Sequence, residues 1–141
     1  MAVMINAENA ILGRIATIAA KKLLAGEKVE IVNAEKALIS GSKKFILEKY
    51  RVKFERSPKG NPTKGPQHSR MPDRILRSAV RNMLPKYSKR GRQALKRLRV
   101  WIGFPKNLQN EKTEDIQGAK KEGLRKAITI GELSRLCGAK F

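Results

Sequence analysis

The sequence predicts an α/β fold, and three observations point to it. Within the first 32 residues a short apolar stretch gives way to helical spacing and then to a branched apolar run, the strand–helix–strand signature of a βαβ unit about 30 residues long. A second apolar run, residues 100–102 with Trp101 at its centre, follows three further helical patterns. With 141 residues, 40% of them hydrophobic, the chain can build one core and cover both faces of a sheet, but not two full domains.

Each element follows from its own residues. Residues 3–5 are apolar and end at Asn6. From Leu12 onward, Ile15, Ala16, Ala19, Ala20, Leu23 and Leu24 recur at helical spacing, giving a helix with one core face that Gly26 stops. Lys28–Val32 carries Val29, Ile31 and Val32, the composition of a buried strand. Residues 37–40 add a short strand, and Gly41 and Ser42 supply a turn and an N-cap for a helix bearing Phe45, Ile46, Lys49 and Tyr50. Residues 51–71 contain Pro58, Pro62, Pro66, Gly60 and Gly65, too many breakers for regular structure, and are expected to form a basic extended loop that orders on its partner. Pro72 and Asp73 open the next helix, whose apolar face is Ile75, Leu76, Ala79, Val80, Met83 and Leu84, and Pro85 closes it. A basic helix then runs from Ser88 or Gly91 to about Leu98, before a strand at 100–102 ended by Gly103 and Pro105. Residues 107–122 are polar and aperiodic, a surface loop, and residues 127–130 and 132–136 give an extended piece and a terminal helix.

Charge locates the working surface. Thirty-two Lys and Arg against 12 Asp and Glu leave a net charge of +20, which destabilises an isolated compact state and calls for a polyanion. Residues 1–42 carry a net +1 and residues 100–141 a net +3, whereas residues 43–99 hold 19 Lys/Arg against Glu48, Glu55 and Asp73, a net +16. The binding region is therefore expected within 43–99 of a single domain spanning 1–141. No stretch approaches the roughly 20 apolar residues of a membrane span, and residues 1–11 lack the pattern of a secretory leader, so no membrane partner is expected. Cys137 is the only cysteine, which leaves no intramolecular disulfide and no cysteine-based metal site, and fits a reducing, cytoplasmic location.

The residues that carry chemistry are cationic. Arg74, Arg77 and Arg81 are spaced by three and four, a narrow stripe on the side of their helix away from Leu76, Val80 and Met83. Guanidinium forks at successive turns can each grip a phosphate through two hydrogen bonds. Lys86, Lys89, Arg90, Arg92 and Lys96, with Arg97 and Arg99, continue the basic run with almost no acid to pair with, so phosphate binding outweighs a solvated face tied by ion pairs. The loop adds Arg51, Lys53, Arg56, Lys59, Lys64 and Arg70, a composition suited to threading between RNA helices rather than to a plain linker. His68, the one histidine, lacks companions for a metal and is expected to make a polar RNA contact. Aromatic residues are only 5%, so stacking cannot be the main mode of recognition, and Trp101 is read as packed in the sheet. Enzyme readings fail. Gly41-Ser42-Lys43 lacks the preceding glycine of a phosphate loop, Glu8, Glu30 and Glu35 have no partner histidine and read as surface groups or caps, and Cys137 reads as core. No cofactor, metal or small-molecule substrate is expected.

Four ordered motifs carry a resemblance. Asn6-Ala7-Glu8 precedes Leu12-Gly13-Arg14-Ile15-Ala16; Val32-Asn33-Ala34-Glu35 runs to Ile39-Ser40-Gly41; Arg81-Asn82-Met83-Leu84-Pro85 is followed by Arg90-Gly91-Arg92; and Leu98-Arg99-Val100-Trp101-Ile102-Gly103 comes next. In this order and spacing the chain resembles the universal ribosomal protein family numbered thirteen of the large subunit, in its archaeal and eukaryotic branch. The resemblance implies a three-layer α/β/α sandwich around a mainly parallel four-stranded sheet, binding to large-subunit ribosomal RNA beside neighbouring ribosomal proteins, and no catalytic site. Asn82 stands where many members have glycine. The region after Gly103 matches least, residues 107–122 are read as branch-specific, and a chain ending at Phe141 is expected on the archaeal side. The leading expectation is thus a structural ribosomal protein that holds several RNA segments together and helps the subunit assemble. A free RNA chaperone, and more distantly a nucleotide-using enzyme on a doubly wound sheet, are the alternatives.

Overall fold

A computed structural model of the chain describes residues 2–56, 58–108, 113–114, 118–120, 124 and 126–141. In chain order its elements are β1 (Ala2–Asn6), α1 (Leu12–Ala25), β2 (Lys28–Val32), β3 (Leu38–Ser40), α2 (Lys43–Glu55), α3 (Pro72–Met83), α4 (Lys89–Lys96), β4 (Leu98–Val100), β5 (Thr113–Glu114), β6 (Ala127–Thr129) and α5 (Ile130–Leu136). Single 3-10 turns lie at Ala34–Lys36, Pro62–Lys64 and Lys106–Leu108.

The fold is α/β, and every pairing of its main sheet is parallel, in the order β4-β2-β1-β5. Register explains the core. Val3 faces Val29, Ile5 faces Ile31, and these lie opposite Leu98 and Val100, so six apolar side chains fall on one face of the pleat. That face belongs to the same cluster as Ile15, Ala19 and Leu23 of α1, Leu76 and Val80 of α3, and Ala94 of α4. Met4 and Val32 are buried on the opposite face. The α1 helix ends as its glycine dictates: Gly26 has φ 101°, its N–H donates to Leu23 and the next N–H to Lys22, closing two orphan carbonyls.

Several boundaries differ from expectation, each for a local reason. The chain leaves the parallel sheet at Asn33, which adopts the left-handed conformation at φ 56°, and β3 pairs antiparallel with β6 in a separate two-stranded sheet. Residues 51–55 are helical rather than part of the extended loop, so Arg51 and Lys53 belong to α2. No breaker occurs before Pro58, and Tyr50 and Phe54, one helical turn apart, pack at 6.1 Å between ring centres. The fourth strand begins two residues early, because buried Leu98 takes the place opposite Val29 while Ile102 is 38% exposed. Met83 is 44% exposed at the end of α3, accepting a hydrogen bond on sulfur from the Thr17 hydroxyl of α1, and so leaves the core face assigned to it. Cys137 sits one residue beyond α5, half-buried against the small cluster of Ile46, Ile128 and Leu133. The segment 107–122 is not simply a surface loop: Thr113–Glu114 pairs with β1, and Ala119 is fully buried with its carbonyl accepting from Ile11. The rest of that reading falls largely outside the described residues.

Candidate nucleic-acid interface

The α3 helix has two chemically opposed sides. Pro72 occupies its first turn, Asp73 follows at the positive end of the helix dipole, and Ile75, Leu76 and Val80 are buried against α1 and the sheet. Arg74, Arg77 and Arg81 are all exposed on the other side. Among the described residues none of the three meets a carboxylate; the ion pairs seen join Lys36 to Glu8 and Lys43 to Glu132. An arginine stripe held by ion pairs is therefore not what this helix presents.

Tertiary packing gathers further cations around that stripe. Between α2 and α3 lies a groove of about 410 Å³ that brings Lys53, His68, Arg74, Arg77 and Arg81 together. Its apolar lining includes Tyr50 and Phe54, and Lys53 lies 5.5 Å from the centre of the Tyr50 ring, which holds the ammonium in place. A second groove of about 570 Å³ between the end of α3 and α4 shares Arg77 and Arg81 and adds Lys86, Arg92 and Lys96. The two grooves form one continuous cationic surface. Arg51 and Arg70 are brought to a third groove, of about 830 Å³, where Glu48 and Glu55 also lie, and Arg70 stacks 5.4 Å from the Phe54 ring. Arg56, Lys59 and Lys64 are exposed on the extension and line none of these grooves, and Lys89 is exposed on α4. Arg90, exposed on α4, lines none of these grooves, and one of its guanidinium N–H groups donates at 3.0 Å to the Leu24 carbonyl at the end of α1.

The remaining polar groups do structural work. Glu8 binds Lys36 at 2.8 Å, and that bond and charge hold its carboxyl below the usual range. Glu30 accepts from the Trp101 indole at 3.0 Å, and Glu35 accepts from the Gly103 N–H at 2.8 Å, so these acids tie the ends of β2 and β4 together. Asn6 accepts from both the Glu8 N–H and the Asn33 side chain, locking β1 to β2 where two of the sequence motifs meet. Ser42 caps α2 and Lys43 pairs with Glu132, which accounts for Gly41-Ser42-Lys43 without a phosphate. His68, exposed on the wall of the first groove, has its pKa lowered by the slight desolvation there and by the charges of Lys53 and Arg56. Among the described residues no group of three or more His, Cys, Asp or Glu is placed to hold a metal, and no helix is long and apolar enough to cross a membrane. One residue absent from the sequence-based site stands out: Tyr87, in the turn between α3 and α4, is 95% exposed beside the second groove. Its signal in the sequence is slight, an aromatic after Pro85-Lys86 in a turn flanked by two basic helices.

Comparison with known proteins is consistent along the chain. The family described as Ribosomal protein L13 matches residues 1–107. The chain is 41% identical to the large ribosomal subunit protein uL13 of Methanosphaera stadtmanae, with 100% of both chains covered. It is 45% identical to the uL13 protein of Methanocaldococcus jannaschii over 98% of each chain. Against that of Methanopyrus kandleri it is 44% identical over 96% of this chain and 86% of the relative.

Proposed function

Since the chain belongs to the ribosomal protein L13 family, we propose that it is a structural constituent of the large ribosomal subunit that binds and stabilises large-subunit ribosomal RNA. Its work is electrostatic and architectural, not catalytic. One observation carries this: α3 buries one side in the core and offers three arginines with no carboxylate partner, among the described residues, on the other. Each can grip a backbone phosphate, and Lys53, His68, Lys86, Arg92 and Lys96 widen the strip across the two grooves. The frame behind it is a single domain, with the family's four-stranded α/β/α sandwich as its complete form. The basic extension, with Arg56, Lys59 and Lys64, reaches between RNA helices that the rigid body cannot enter. Arg51 and Arg70, which line the third groove beside the acids of α2, extend the RNA-binding surface, and neighbouring large-subunit proteins are the chain's further partners. The bound state is ribosome-associated and requires no cofactor.

Sedimentation tests this reading. After high-salt washing, a constituent stays with large subunits in stoichiometric amount. Quantitative release by the wash would mark a transient assembly factor instead.

A further inference from the structure

Tyr87 is the most exposed large apolar side chain among the described residues, at 95%, and it stands in the middle of a cationic surface. A single exposed ring is ordinary by itself; what singles out Tyr87 is that its open faces border a groove whose other polar lining residues are all cationic. The turn that carries it is pinned on both sides. Leu84 is buried in the main core. On the far side, Gly91 brings α4 so close to Pro85 that a β-carbon at Gly91 would lie 2.0 Å from the Pro85 carbonyl oxygen. Ser88 caps α4 by accepting from the Arg90 N–H at 3.1 Å, and the Arg90 guanidinium anchors α4 to α1. The ring is thus projected from a preorganised support and not from a slack loop.

Beside it, the groove of about 570 Å³ is lined by Leu84, Pro85 and Leu95 and rimmed by Arg77, Arg81, Lys86, Arg92 and Lys96, with no acid among its lining residues. An apolar recess, an open aromatic face and a ring of cations match the parts of a nucleotide, base and phosphate, taken separately. Paired bases cannot offer a free face, so the fitting ligand is unpaired. We infer that Tyr87 and this groove form a subsite for one unpaired RNA nucleotide, its base stacked on the Tyr87 ring and its flanking phosphates held by Arg77, Arg81 and Arg92. The inference rests on the RNA-binding reading above and adds to it a residue and a class of ligand.

The test uses the full chain and two RNA hairpins, each closed by a non-nucleotide linker so that no loop base is unpaired, which differ by one bulged 2-aminopurine. Because stacking tolerates any base, the bulged hairpin should bind more tightly than the paired one, on the order of tenfold, with quenching of 2-aminopurine fluorescence. Tyr87→Ala should abolish both the preference and the quenching while leaving affinity for the paired hairpin and its salt dependence as in wild type. Tyr87→Phe should keep both. Wild-type protein that binds the two hairpins equally, or Tyr87→Ala that retains the preference, overturns the subsite and leaves general RNA binding standing. Failure of wild type to bind either hairpin overturns the RNA-binding reading itself.

Discussion

Gly91 has no room for a side chain, and the atom in its way is backbone. Alanine there would place a β-carbon 2.0 Å from the Pro85 oxygen and 2.9 Å from its carbonyl carbon, neither of which can swing aside as a side chain would. Gly91→Ala should therefore cost about 1–3 kcal/mol, read from chemical denaturation. Gly13 is the control. Nothing lies within 4 Å of its notional β-carbon and it sits at the start of α1, so Gly13→Ala should be neutral or stabilise by up to about 1 kcal/mol. Equal responses would mean that α4 does not rest on the Pro85 turn. His68 supplies a second residue-level expectation. Its pKa lies below the ordinary 6.5 because slight desolvation and the Lys53 and Arg56 charges disfavour the imidazolium. As pH falls below about 6.5 the unfolded chain takes up the proton first, so the free protein loses stability over that range. In the proposed RNA complex a phosphate beside His68 would reverse the local field and favour the imidazolium. RNA affinity should then rise as pH falls through this range, with uptake of at most one proton, and His68→Gln should flatten the profile. A variant with the wild-type pH response would show that His68 does not face phosphate.

At the scale of the element, the two sides of α3 should fail differently. Arg77→Ala and Arg81→Ala take charge from exposed positions without breaking an ion pair seen among the described residues, so stability should change by no more than about 0.5 kcal/mol. RNA affinity should fall, and the slope of log affinity against log salt should flatten by about 0.9 for each duplex phosphate that the variant no longer neutralises. Val80 is fully buried, and Val80→Ala should cost about 1–3 kcal/mol while leaving the slope at its wild-type value. Early melting of the arginine variants, with an altered slope only in Val80→Ala, would mean that the faces are reversed. This helix was legible because twelve residues carry more than three turns of one period, with Pro72 fixing where it starts. The pairing of β3 with β6 was not, since three-residue strands have no period to read and the turn at Asn33 is a single backbone choice. The last turn of α2 was masked by the prolines that follow it, although its Tyr50 and Phe54 spacing was present. The grooves were beyond reach of pattern altogether. They arise where α2 and α4 approach α3, and Arg90, alike in sequence to Arg92, lines neither groove while one of its N–H groups bonds to Leu24.

Over the whole molecule the net charge is +20, most of it in residues 43–99, and several of the described acids are engaged outside the arginine strip. Glu8 is held by Lys36, Glu132 by Lys43, Glu30 by Trp101 and Glu35 by Gly103, all in joints between elements and away from the arginine strip. Arg74, Arg77 and Arg81 thus meet no carboxylate among the described residues, and like charges a helical turn apart repel one another in the free protein. Salt should relieve that repulsion, because the screening length falls from about 10 Å at 0.1 M to about 3 Å at 1 M. The Tm of the isolated chain is therefore expected to rise with potassium chloride. In the proposed RNA complex phosphates would neutralise the same strip, and the stabilisation would depend on how far ligand concentration exceeds Kd. Salt weakens that binding by restoring counterions to the RNA, so the Tm of the complex should fall as salt is added. Two melting series, with and without RNA, check this opposition of sign. The Arg77→Ala, Arg81→Ala double variant should shrink both slopes together, because the same guanidinium groups repel one another in the free state and grip phosphate in the bound one. If the free protein instead melts earlier in potassium chloride, then the strip's charges are compensated within the fold and do not await a polyanion.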